Sequence, residues 1–370
     1  VIRSIEEFPE NIRPTQEALL ESNSAKLKAL MGEGVYTFTD KSCFFVYRLS
    51  VDGHVQTGLV ADVPIEAYDS GAIRKHENTQ RDKEDRLTRY QQVVGVSSSP
   101  VCLAYKDRSE ISDLVARITR TERIIDFVSD DGVAQSIWRI DDEPVQREFI
   151  DLFESVPVTY LTDGHHRCAA GSRYASMMRA KNPQYTGEEP YNFLLVALFP
   201  ATELRILPYN RCIKELDNWS AEKFLDRLKQ TFEVERLSAE HAEQFEPRRR
   251  REMTMFLDHR WYRLTAKSRI VRADEPVGSL DVTILHDHIL KPLLGIEDPR
   301  TDPRIEYVAG TFGMDGLEAR CSQGGRRVAF AIYPTSIDEL MAVADVDKVM
   351  PPKSTCFDPK VRSGLFVRLL

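Results

Sequence analysis

The chain has 370 residues, enough for about two domains at the usual domain size, and it can bury a full core without staples. With 42% hydrophobic and 29% charged residues it fits a folded globular protein and argues against global disorder. Its net charge of −8 speaks against a broadly basic nucleic-acid surface or an anionic-membrane surface, leaving room only for a local basic groove.

Residues 12–32 read as a helix, with Pro14 near the start and Leu19, Leu20, Leu27, Leu30 and Met31 along it. The run 44–49 is β-rich, Asp52-Gly53 marks a hairpin turn, and 55–60 is the return strand. The strongly charged stretch 64–94 reads as helical. A short strand at 101–105 and a helix at 111–118 follow. An alternating strand at 136–140 precedes a helix at 146–154, and 156–161 has the texture of a buried strand. A helix rich in small residues is expected at 169–180. The longest apolar run, 193–199, is strand-sized, far short of the ~18 residues of a membrane span. The next strand begins at 204–207.

Further on, amphipathic helices at 221–232 and 281–293 flank a strand pair around Phe256, Trp261, Tyr262 and Leu264. The arginine run 248–251 reads as a solvated loop before a polyanion site. A strand at 328–333 precedes a helix at 337–346, capped by Ser336 and acidic early through Asp338 and Glu339. The order predicts a mixed α/β (α+β) protein in two regions, 1–215 and 216–370, the second packed on the first. A β–loop–α–β unit is expected at 156–199.

None of the six cysteines forms a C-x-x-C pair or a zinc spacing with histidine, so buried reduced thiols and a cytoplasmic setting are expected. Neither a signal peptide nor an initiator Met opens the sequence, so residue 1 is not expected to be the native start.

The segment Asp163-Gly164-His165-His166-Arg167 lies between a strand expected to end at Leu161 and a helix expected to start near Arg167. Such a junction suits a phosphate. A helix N-terminus presents unpaired N–H groups, Gly164 allows close approach, and Arg167 can fork onto two oxygens. His165 or His166 can donate further, and Asp163 can hold Mg²⁺. Taken singly, each residue also fits a plain turn with Asp163 as a cap and core histidines. The grouping of five at one junction favours a site. Adjacent histidines do not form the i, i+4 zinc pair.

A second cluster is His76-Glu77-Asn78-Thr79. Glu77 can accept a hydroxyl proton, with Arg74, Lys75 or His76 orienting it or binding phosphate. The competing reading is an exposed charged helix. In the segment 350–365, Pro351, Pro352, Pro359 and Gly364 fix the backbone, and Lys353, Ser354, Thr355 and Lys360 can meet a carboxylate or phosphate. A tail docked as a lid or edge strand is the alternative.

Asp163-Gly164-His165-His166-Arg167 resembles the signature of the DUF1015 family. Three further stretches match that family's pattern: 73–79 with 83–86, 280–285 with 293–296, and 350–360 with 363–365. The family is similar to the ParB/sulfiredoxin-like free-serine kinases. The resemblance implies a ParB/sulfiredoxin-like core with a C-terminal extension. It implies a Mg²⁺-dependent kinase that takes a phosphoryl group from ADP or ATP and gives O-phospho-L-serine from free L-serine. No nucleic-acid or membrane partner is implied, and a homo-oligomer is compatible. On this reading Glu77, Asp163 and His165 are catalytic, and Asp163 holds the metal. Gly164, His165, His166 and Arg167 bind nucleotide, and His76, Thr79, Lys353, Ser354 and Thr355 meet substrate. The alternative is a ParB-like nucleotide-binding and hydrolysing switch without small-molecule kinase activity, although no basic helix-turn-helix block accompanies it. A sulfiredoxin-like repair enzyme would place a cysteine inside the loop, whereas Cys168 follows Arg167.

Overall fold

The hairpin signal at Asp52-Gly53 folds as a two-residue turn with both residues at positive φ, 50° and 75°. It joins β1 (Phe44–Val51) to β2 (His54–Pro64) in antiparallel register. The computed structural model to which this hairpin belongs describes residues 8–214, 216, 219–238, 242–322 and 328–370. The chain divides into two compact units. One comprises the residues up to Leu204 together with Pro359–Leu370, and the other is Arg205–Asp358. The division thus falls earlier than residue 215, and the C-terminal segment returns to the first unit.

The first unit begins with α1 (Gln16–Gly32), where the Thr15 side chain accepts from the Ala18 N–H at 3.3 Å. After β2 come α2 (Glu66–Asp69), β3 (Ile73–Arg74), α3 (Arg81–Val94), β4 (Val96–Ser97), β5 (Val101–Tyr105) and α4 (Ser109–Ile118). β6 (Ile125–Val128), β7 (Ala134–Ile140), α5 (Glu143–Glu154), β8 (Thr159–Asp163), α6 (His165–Lys181) and β9 (Phe193–Pro200) complete it. Eight strands form one mixed sheet in the order β3-β8-β5-β9-β2-β1-β7-β6. Successive strand residues point to opposite faces. Val46, Leu59, Leu103, Leu161, Val196 and Leu198 therefore pack on one side, with Phe149 and Cys168 from the helices. Tyr47, Val60, Cys102, Leu195 and Ala197 pack on the other. Val361 and Phe366 complete that second face, so the C-terminal segment is part of the core. Arg368–Leu369 pairs with β4 as a short antiparallel strand.

The second unit opens with β10 (Ile206–Leu207), β11 (Tyr209–Ile213), α7 (Ala221–Leu228), β12 (Phe232–Arg236), β13 (Glu252–Leu257) and β14 (Arg260–Ala266). It continues through α8 (Asp281–Leu285), a π turn at His286–Leu290 and α9 (Lys291–Leu294). Then come β15 (Ile305–Ala309), α10 (Gly313–Ser322), β16 (Val328–Ile332), α11 (Ile337–Asp345) and β17 (Cys356–Phe357). Its main sheet is antiparallel, ordered β12-β14-β13-β16-β11-β15. Ser336 and Glu339 form a reciprocal capping box on α11.

Three expected elements are corrected. The stretch 64–94 is not one helix: α2 ends at Asp69, β3 pairs in parallel with β8, 75–80 is irregular with a bend at Glu77, and only α3 is a long helix. Long-range pairing outweighs local helix preference there. The helix at 221–232 stops at Leu228, because Phe232 is drawn into β12 against β14. The arginine run is only partly solvated: Arg251 bonds the buried Asp281 at 3.0 Å, while Arg249 stays largely exposed. Among the described residues, no helix is long and apolar enough to cross a membrane.

Candidate active site

β3 and β8 are parallel neighbours, with Ile73 opposite Thr159 and Arg74 opposite Tyr160. Parallel strands end at the same edge of a sheet. The segment after β3, carrying His76, Glu77 and Thr79, therefore emerges beside the turn after β8, carrying Asp163 to Arg167. Topology brings together two motifs nearly ninety residues apart.

The turn is shorter than the sequence suggests. β8 runs on through Asp163, and α6 starts at His165, leaving Gly164 alone between them. Gly164 sits at φ 104°, ψ 25°, a conformation that reverses the chain in one residue and that side chains rarely adopt. As N-cap it offers no side chain, so none caps the first turn of α6. The first N–H groups of the helix have no partner within it, and the helix dipole adds partial positive charge there. Lower in α6, Gly171 lets the helix lie on the sheet, since a Cβ there would be 2.8 Å from the Leu194 methyl.

Arg167 folds back over Gly164. Its guanidinium donates to the Asp163 carboxylate, to the Ser99 hydroxyl and, at 2.8 Å, to the Pro100 carbonyl. It is held ready at the turn and already paired. Asp163 is partly exposed, with Oδ2 engaged by Arg167. His166 accepts the Gln80 N–H through Nε2 at 3.0 Å, tying the two motifs together. Thr79 donates to Glu84 in the first turn of α3.

His76 and His165 are both buried and meet edge to face, ring centroids 4.5 Å apart. Burial pushes the His76 pKa down to about 4, partly offset by its hydrogen bond to the Leu161 backbone. Burial also holds His165 well below its ordinary value, helped by the neighbouring His76, His166, Arg167 and Lys75. At neutral pH both rings are uncharged, so His165 is not a cationic phosphate ligand. Glu77 is exposed, and its carboxylate lies within 4.8 Å of ring nitrogens of both histidines. Cys168 is buried and its thiol is pushed up to about 12, so it carries no thiolate for repair chemistry.

Lys353, Ser354 and Thr355 stand in the second unit. There Ser354 is buried, donates to the Pro351 carbonyl at 2.6 Å and accepts from Thr335 at 3.0 Å. The Lys353 ammonium lies 5.0 Å from the Tyr209 ring centre. A groove of about 610 Å³ follows α6 from Thr79, lined also by Tyr68, Ala169, Ser172, Arg173 and Met177. Sequence reasoning missed the His76–His165 contact and the Ser99–Pro100 anchor of Arg167. Both arise from pairing across the sheet, with no local signal.

The family profile described as "Protein of unknown function (DUF1015)" matches residues 1–283, most of the chain. The chain belongs to the DUF1015 family. This DUF1015 protein is similar to a solved free serine kinase in complex with AMP, at 12% identity and TM-score 0.40, covering 84% of this chain and 92% of that one. It is also similar to a conserved hypothetical protein from Pyrococcus furiosus, at 13% identity and TM-score 0.37, over 82% and 93% of the two chains. A third is SbnI with C-terminal truncation from Staphylococcus aureus, at 12% identity and TM-score 0.42, over 84% and 87%. No curated protein matches the chain. The DUF1015 signature Asp163–Arg167 is thus the strand-to-helix turn described above.

Proposed function

We propose that the protein is a phosphotransferase that moves a phosphoryl group from ADP or ATP to the hydroxyl of free L-serine, giving O-phospho-L-serine. One observation carries the reading: a proton acceptor, Glu77, stands beside His165, the first residue of a helix whose N-terminus carries no side-chain cap. Phosphoryl transfer asks for little more than this, an anion cradle and a base at the nucleophile. The DUF1015 signature resembles the motif with which the free-serine kinases surround nucleotide phosphates, and that resemblance is the support for serine as the acceptor.

In this reading the terminal phosphate sits on the N–H groups of the first turn of α6. Arg167 shifts part of its fork from Asp163 to phosphate oxygen. The groove along α6 has volume enough for the nucleoside. The serine hydroxyl gives its proton to Glu77 as its oxygen bonds to phosphorus. The bond from phosphorus to the nucleotide's bridging oxygen breaks, and the shortened nucleotide leaves with that electron pair.

Mg²⁺ suits Asp163, whose single carboxylate supplies the hard oxygen donor that the ion combines with phosphate oxygens and water. When bound it neutralises phosphate charge. Asp163 is accordingly less suited than Glu77 to act as the base.

The test incubates the protein with Mg²⁺, ADP or ATP and a panel of amino acids, and reads products by mass spectrometry. O-Phospho-L-serine is the expected product. Nucleotide hydrolysis without any phosphorylated amino acid would replace this reading with the ParB-like switch.

A further inference from the structure

We propose that His76, Glu77 and His165 form a binding site for one divalent d-block cation of the zinc type, separate in chemistry from the oxygen donor at Asp163. One nitrogen atom from each ring and one carboxylate oxygen all lie within 4.8 Å of one another. Two imidazoles and a carboxylate are a common three-ligand set for zinc, with a fourth position left for water or substrate. Nitrogen donors select against Mg²⁺, which prefers oxygen.

Two observations besides the clustering point to a ligand. His165 is 6% exposed, and its Nε2 is buried without a hydrogen-bond partner. A buried polar nitrogen left so is costly, and a metal bond would satisfy it. His76 is hydrogen-bonded to the Leu161 backbone. That bond fixes the ring's tautomer and orientation and leaves the lone pair on its other nitrogen, the arrangement that usually backs a metal-bound histidine.

Ligands of a tetrahedral zinc with bonds of ~2.0 Å stand roughly 3.3 Å apart, so the cluster has to contract by ~1–1.5 Å. Glu77 is exposed at the rim of the cluster, while the two histidines are buried. The site does not depend on the phosphotransferase reading, because it needs neither nucleotide nor serine. If both hold, the cation takes the Glu77 lone pair that the reaction uses, and zinc binding and turnover exclude each other.

The experiment titrates Zn²⁺ into the full chain, stripped with chelator and free of nucleotide, by calorimetry. Visible absorption of Co²⁺ serves as a second probe of nitrogen coordination. One equivalent is expected to bind, unaffected by excess Mg²⁺. Glu77→Gln and His165→Gln should each weaken it by at least ~10-fold, since even outer-shell losses cost that much. An isotherm unchanged in folded Glu77→Gln, or displacement by Mg²⁺, overturns the site, and so does absence of binding. Where His165→Gln fails to fold, the exposed Glu77→Gln decides alone. Turnover is measured separately with Mg²⁺ and nucleotide, so failure of the kinase reading leaves the zinc result standing, and the reverse.

Discussion

Asp163 and Arg167 hold each other across Gly164, one at the end of a strand and the other in the first turn of the following helix. The pair keeps a guanidinium at the helix mouth while neutralising it, so a phosphate arriving there competes with a carboxylate already in place. Replacing Arg167 by Ala removes a charge-assisted donor. Nucleotide affinity should fall by about 1.5–3 kcal/mol, and calorimetry on the folded variant reads it. Unchanged affinity would remove the phosphate from this turn.

Gly164 supplies the second expectation. At φ 104° a side chain is strained, and a Cβ there would lie 2.9 Å from the Arg167 Nε. Gly164→Ala should lower stability by about 1–3 kcal/mol and displace the guanidinium. Chemical denaturation measures the first effect and nucleotide titration the second. A variant of wild-type stability would show that the turn relaxes without cost.

Glu77→Gln keeps the shape of the side chain and removes the proton acceptor. Nucleotide affinity should stay nearly intact while turnover of serine drops ~10²–10⁴-fold, the usual share of general-base catalysis. Steady-state rates at saturating serine check this. A fall in affinity with unchanged kcat would make Glu77 a binding group.

Asp281 predicts a pH dependence in the second unit. Burial raises its pKa to about 6, and the hydrogen bonds from Arg251 offset only part of this. The folded state therefore holds the proton more tightly than the unfolded chain, whose carboxyl titrates near 3.9. The stabilisation from this group is complete below that value and is lost as pH rises through about 6. Relative to Asp281→Asn, the wild type should lose up to about 3 kcal/mol between those limits. Urea midpoints of both proteins across the range test the sign, and a growing wild-type advantage with rising pH would refute it.

Much of the fold is legible where local chemistry and tertiary pairing agree. The Asp52-Gly53 hairpin, the apolar strand that became β9 and the Ser336 cap each carry their own signal in a few adjacent residues. The signature turn is legible because a buried strand runs into a glycine and then a helix. β3 is not: it is two residues in a charged stretch and exists only because β8 lies beside it. The same pairing hides the His76–His165 contact, which no spacing along the chain encodes. Val361 stands alone between Lys360 and Arg362, and Phe366 sits in the three-residue apolar run 365–367. Their place in the core of the first unit has no periodicity to announce it.

The second unit begins and ends at one point. Arg205 bonds Asp358 at 2.5 Å, the Asp358 N–H reaches the Arg205 carbonyl at 3.1 Å, and β10 pairs with β17. This clasp closes the long excursion Arg205–Asp358 and presents Pro359–Leu370 as though it followed Leu204 directly. Were the excursion a slack tether, bringing its ends together would cost roughly 4 kcal/mol of chain entropy. Folding of the second unit meets that cost in advance. Val361 and Phe366 can then be seated locally, and the first unit gains its last core residues when a different part of the chain has closed.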